Sequence, residues 1–196
     1  MMQLALASSS RYRRELLTRF RVPFTWQSPH IDEEPRPAET ATDTALRLAE
    51  AKARALRETF TDHLIIGSDQ VAWFAGHQVS KPGNHRNAVS QLQQFSGQTV
   101  QFFTAVCVYN SQSKASQTAL ALTTVRFRQL PDNEIERYLR IEQPYHCTGS
   151  FMAEGLGITL FDQISSDDPT AIIGLPLIKL RQLLAEHGYD ILNNIH

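Results

Sequence analysis

Apolar and polar positions follow two different periods along the chain. Gln3 to Ala7 and His63 to Gly67 are short apolar runs that read as buried strands. Between them Leu46, Ala49, Ala53, Leu56 and Phe60 recur at spacings of three and four, which predicts an amphipathic helix from about Thr40 to Phe60. A shorter helical pattern with Leu16, Leu17 and Phe20 follows Ser8-Ser9-Ser10, and Val22 to Trp26 reads as extended. Beyond Gly67, Val71 to Val79 predicts a hairpin turning at Ala75-Gly76. Asn84 can cap a helix through Phe95 that stops at Gly97. Val100 to Tyr109 and Ala119 to Phe127 are strands joined by a polar turn near Ser111 to Ser116. Pro131 to Arg140 and Leu175 to His187 are helices, Ser150 to Ile164 reads as a second hairpin, and the tail from Gly188 reads as polar and loose. Helices interleaved with buried strands and hairpins predict an α/β fold on a mixed sheet.

Composition narrows the picture. The 196 residues suit a single domain spanning 1–196, and no apolar run approaches the twenty residues of a membrane span. The first arginines follow the N-terminal apolar run, the wrong order for a signal peptide, so a cytoplasmic protein is expected. Lys+Arg 19 against Asp+Glu 20 leaves a formal charge of −1 and no global field toward nucleic acid or membrane. A charged partner must be met by a local cluster. Cys107 and Cys147 are too few for a disulfide framework, and the seven histidines show no metal-ligand spacing.

Such a cluster stands at Ser10-Arg11-Tyr12-Arg13-Arg14. Ser10 is a good N-cap, so the arginines fall in the first helical turn, where cations oppose the macrodipole. Free backbone N–H groups, serine hydroxyls and guanidiniums together suit an anion, phosphate above all; the alternative is a solvated basic face. Asp32-Glu33-Glu34 lies in a proline-marked loop, and Asp69 follows the His63 to Gly67 strand, where an acid at a strand end would face the ligand crevice of an α/β sheet. Two loop carboxylates beside phosphates suit Mg²⁺ or Mn²⁺, and Asp69 could instead activate a water; each acid could equally cap a turn. Lys52 and Lys81 could add charge to a polyphosphate, or lie on the surface. Cys147 beside His146 could pair as nucleophile and base, Asp167-Asp168-Pro169 reads as a turn, and Gly174-Leu175-Pro176 as a tight entry to the last helix.

Taken in order, Ala7-Ser8-Ser9-Ser10 through Arg13-Arg14-Glu15-Leu16-Leu17, Asp32-Glu33, Ala51-Lys52-Ala53, Gly67-Ser68-Asp69-Gln70, Lys81-Pro82, Gly149-Ser150-Phe151 with Glu154-Gly155, and Ile173-Gly174-Leu175-Pro176 resemble the Maf-like nucleoside triphosphate pyrophosphatases. Gln70, His146-Cys147 and Glu154 resemble most the branch that acts on 7-methyl-GTP. Arg11 stands where the family motif carries proline, and Tyr12 where it carries tryptophan. The resemblance implies an elongated, twisted mixed sheet flanked by helices, with two lobes around a central cleft as in the inosine-triphosphate pyrophosphatases. It also implies a homodimer. On this reading Ser8, Arg13, Arg14, Lys52 and Lys81 bind the triphosphate, and Glu33 and Asp69 hold the divalent metal. Asp69 is also the catalytic base, and Tyr12, Gln70 and Glu154 select the base of the nucleotide. The competing expectations are a pyrophosphatase preferring dTTP or UTP, and a nucleotide-binding regulator of cell division without catalysis.

Overall fold

Strand β1 (Gln3–Ala7) lies parallel to β2 (Phe24–Gln27) on one side and to β3 (His63–Phe74) on the other. The computed structural model describes residues 2–195. The remaining strands are antiparallel: β4 (His77–Val79), β5 (Thr99–Asn110), β6 (Ser116–Phe127) and β7 (Phe161–Ser166). They form one seven-stranded mixed sheet in the order β2-β1-β3-β5-β6-β7, with β4 also on β3. The helices are α1 (Arg11–Thr18), α2 (Ala41–Ala55), α3 (His85–Phe95), α4 (Asp132–Glu142) and α5 (Leu177–Glu186). The expected α/β class, mixed sheet and flanking helices are therefore present.

One edge of β3 explains the two lobes. Strand β5 pairs with β3 from Leu64 to Trp73 along a single edge. The other edge is shared: β1 takes Gln3 to Leu6 against His63 to Ile66, and β4 takes Val79 to His77 against Ala72 to Phe74. From Gly67 to Val71 that edge has no strand beside it, and the gap is the floor of a cleft. On the β1 side, α1 and α5 pack with Leu6, Leu64, Ile66, Val106 and Val108 on one face, while α2 packs with Ala5, Ile65 and Cys107 on the other. On the β4 side, α3 and α4 enclose Phe95, Phe102, Phe127 and Phe151.

Side chains alternate across a strand. Ile65, Gly67, Asp69 and Val71 consequently face α2, whose buried positions are Ala41, Thr44, Ala45, Leu48, Ala49, Lys52 and Ala53. The alanines and Gly67 let the backbones meet closely: a Cβ on Gly67 would lie 2.1 Å from the Ala49 carbonyl oxygen and 2.7 Å from the Ala53 nitrogen. A capping box of Thr40 and Asp43 fixes the start of α2.

Four expectations need correction. The apolar run from His63 does not end at Gly67, because pairing with β5 carries β3 on to Phe74; Asp69 sits within a strand and not beyond its end. The long helix stops at Ala55, and Phe60 is reached through a hydrogen-bonded turn back to Leu56. Ser150 to Ile164 is no hairpin: a 3₁₀ turn at Leu156–Leu160 leads into β7, which pairs with β6. The tail is anchored, with Tyr189 and Ile191 buried in the α1–α5 core.

Gly67→Ala should destabilise the fold by about 1–3 kcal/mol or more, because backbone cannot yield as a side chain does. Thermal melts against Gly76→Ala, at an open turn position of φ +87°, check this. Equal losses from both would contradict the close approach of α2.

Candidate active-site cleft

The cleft has a volume of about 1030 Å³ and is lined from both lobes, by Ser8 to Arg13, Glu33, Lys52, Asp69 and Gln70, and by Lys81, Cys147 and Glu154. Its centre is a cluster of three charges. Lys52, buried on α2, places its Nζ 2.7 Å from Asp69 Oδ1 and 3.0 Å from Glu33 Oε1. Asp69 Oδ2 takes no hydrogen bond from the described residues. Glu33 comes from a loop that α2 itself restrains, since Arg47 donates to the Glu34 carbonyl and to the Glu39 carboxylate. Desolvation acts to raise the Glu33 pKa, but Lys52 first, then Lys81 and Arg13, outweigh it and hold the carboxyl below its usual range.

Arg13, from α1, lines the same cleft. The Ser10 hydroxyl accepts from the Arg13 backbone N–H at 3.4 Å, the expected cap. The Arg13 Nε donates to the Gly174 carbonyl at 2.7 Å, and the buried Ser68 hydroxyl sits 2.9 Å from the same oxygen. Burial lowers the Arg13 pKa from its ordinary value, with Asp69 and Glu33 opposing that shift. Ser8 is buried at the cleft wall, and its Oγ accepts from the Ser10 N–H at 3.1 Å. The macrodipole conflict is resolved residue by residue. Arg11 pairs with Glu15, Arg13 turns to the Gly174 carbonyl, and Arg14 lies over the Trp26 ring, 3.9 Å from its centroid. Arg14 is not among the cleft-lining residues, whereas Ser8, Arg13, Lys52 and Lys81 are.

A second group of cleft residues has another character. Tyr12 donates its hydroxyl to Met152 Sδ at 2.8 Å. Desolvation first, then Cys147 and Glu154, raise the phenol's pKa, so it stays neutral. Glu154 is also raised, by desolvation first and then by Glu142 and Glu15. Gln70 faces away from Asp69, as neighbours on a strand do. Its Nε2 donates to Thr104 Oγ1, the Ala171 carbonyl and the Ile172 carbonyl at 3.0, 2.9 and 3.1 Å, which leaves only its Oε1 for a ligand.

Among the described residues no three His, Cys, Asp or Glu side chains converge as a metal site. Two of the cleft carboxylates, Glu33 and Asp69, meet at Lys52 Nζ. His146 and Cys147 both line the cleft without a hydrogen bond between them, and burial pushes the Cys147 thiol up, which weakens the nucleophile reading. Cys107 is core, its thiol pushed up to about 12 by burial.

Three contributors were not legible as such. Ser68 and Gly174 anchor Arg13, and the positive φ of Gly174 (+116°) is the constraint that the motif Gly-Leu-Pro hides. Asp168, read as a turn residue, is fully buried and accepts from the Ile178 and Lys179 N–H groups, capping α5 from outside the helix. The spacing of Asp168 to Thr170 is an Asx-type signal that points to such a cap.

Comparison with known proteins bears on the whole chain. The family described as Maf-like protein matches residues 3–187. A protein named 7-methyl-GTP pyrophosphatase from Burkholderia pseudomallei (strain 1710b) is 56% identical over 192 residues, covering 96% of this chain and 89% of its own. One of the same name from Methylobacillus flagellatus is 53% identical over 189 residues, covering 96% of this chain and 98% of its own. A solved structure of a nucleoside-triphosphatase / dITP/XTP pyrophosphatase from Mycobacterium abscessus aligns with a TM-score of 0.41 at 16% identity, over 66% of this chain and 76% of its own. With the family match running from β1 through the end of α5, the chain belongs to the Maf-like proteins.

Proposed function

We propose that the chain is a nucleoside triphosphate pyrophosphatase that hydrolyses 7-methyl-GTP to 7-methyl-GMP and diphosphate. The observation that carries this reading is the mixed lining of one cleft: Arg13, Lys52 and Lys81 supply cations, and Tyr12 and Glu154 supply an aromatic ring and a carboxylate. A triphosphate fits the first. The second suits a guanine made cationic by N7 methylation, through stacking on Tyr12 and hydrogen bonds from N1–H and the amino group to Glu154. The names of the two relatives support the same substrate. A nucleotide substrate also fits a cytoplasmic protein, and no described helix is long and apolar enough to cross a membrane.

Lys52 and Arg13 neutralise phosphate oxygens, and Lys52 holds the Asp69 carboxylate in place through Oδ1. Asp69 Oδ2 orients a water and takes its proton as the oxygen attacks the α-phosphorus in line; the bond to the bridging oxygen breaks and diphosphate leaves. Positioning and charge neutralisation account for most of such catalysis. Glu33 and Asp69, the two carboxylates that meet at Lys52, would hold a hard divalent cation such as Mg²⁺ or Mn²⁺, an ion that needs only one or two protein carboxylates beside a phosphate substrate. Bound there, it would supply further neutralisation of the triphosphate. Gly174 and Ser68 serve by fixing Arg13.

Diphosphate release with Mg²⁺ or Mn²⁺, measured across 7-methyl-GTP, GTP, dTTP, UTP, CTP and ATP, should favour 7-methyl-GTP strongly. Preference for dTTP or UTP would retain the mechanism and overturn the base assignment, and no release from any of them would favour a binding protein. Tyr12→Ala should lower kcat/KM for 7-methyl-GTP more than for GTP, by a margin of ~0.5–2 kcal/mol for a cation–π contact. Equal losses on both nucleotides would argue against stacking on a cationic base.

A further inference from the structure

Tyr12 reaches across the cleft. It belongs to α1 in one lobe, and its hydroxyl meets Met152, 140 positions away in the loop between α4 and β7. The backbone of Met152 is held on three sides. Its N–H donates to the hydroxyl of Tyr138, a buried residue of α4, at 3.1 Å. Its carbonyl accepts from the Gly155 N–H at 3.2 Å. Gly157 passes so close that a Cβ there would stand 2.4 Å from the same carbonyl oxygen. A thioether on a flexible stem is a weak acceptor, so what makes it effective here is the fixed backbone beneath it.

We propose that Met152 is a positioning residue for base selection: its thioether holds the Tyr12 hydroxyl, and so the plane of the ring, where it can stack on the nucleotide base. The tether needs a phenol. Phenylalanine has no hydroxyl, and an indole N–H would donate from a different place. Burial keeps the Tyr12 phenol protonated and able to donate. The tether also joins the lobes directly, so the ring is set by both walls of the cleft and does not depend on the first turn of α1 alone.

This inference rests on Tyr12 meeting the base, and a double-mutant cycle tests it without presuming which base. Tyr12→Phe, Met152→Leu and the double variant are compared with the wild type on whichever nucleotide the wild type prefers. Inhibition by inorganic tripolyphosphate, which has no base, is measured in parallel. Each single variant should raise KM roughly three- to tenfold, the worth of one hydrogen bond, and change kcat less. Inhibition by tripolyphosphate should not change. The double variant should be no worse than the weaker single one, because both remove the same contact. Melting temperatures of the four nucleotide-free proteins should show the same non-additivity, which gives a readout even without turnover. Additive losses, a wild-type KM in Met152→Leu, or equal weakening toward tripolyphosphate would overturn the role. A wild-type preference for another nucleotide would revise the substrate and leave the cycle valid.

Discussion

The cleft depends on how closely α2 lies against β3. Gly67 offers no side chain, α2 answers with Ala45, Ala49 and Ala53, and the helix backbone comes within reach of the strand backbone. At that distance Lys52, one turn beyond Leu48 on the same face, is largely buried and ends between Asp69 and Glu33 at the cleft wall. An isolated buried ammonium would lose its proton or refuse burial. Here two carboxylates meet it, and removing a sole partner from such a pair typically costs roughly 3–5 kcal/mol. The small-residue face and the charge cluster are therefore one feature, and a bulkier residue at Gly67 would displace both.

The second condition is an edge left open. Most strands in a central position are paired on both sides, but β3 has a vacant stretch between β1 and β4. The vacancy lets Asp69 and Gln70 of one strand serve the same cleft from opposite faces of the sheet. Asp69 turns to α2 and the charges. Gln70 turns to the Ala171 and Ile172 carbonyls and fixes the segment that ends in Gly174, on whose carbonyl Arg13 rests. The two faces are thus coupled through backbone, and Gln70 has a structural task in addition to any contact with a base.

Much of this was legible in the sequence because local chemistry and global fold agree there. The existence of α2 with Ala49 and Ala53 on its buried face, the Ala75-Gly76 turn, the Asn84 cap and the two long antiparallel strands agree with the sequence pattern. The arginines at the start of α1 were conspicuous because they break the macrodipole rule, and the violation led to the cleft. Failures arose where distant partners decide. The length of β3 is set by pairing with β5, which no pattern within His63 to Phe74 reveals. Arg13 and Arg14 are adjacent and alike in sequence, yet one lines the cleft on the Gly174 carbonyl and the other covers Trp26, because adjacent helix positions face different directions. The contact of Tyr12 with Met152 spans 140 positions and has no local signal at all.

The claim on which the account turns is that Asp69 acts on a water molecule, and is not merely a partner for Lys52. Asp69→Asn separates the two, since the amide oxygen still accepts from Lys52 and Glu33 still balances its charge. Nucleotide affinity and diphosphate release should be measured on the same purified variant. If Asp69 acts on the water, the variant is folded, binds nucleotide within several-fold of the wild type and shows no turnover. Release of diphosphate at the wild-type rate would contradict that role.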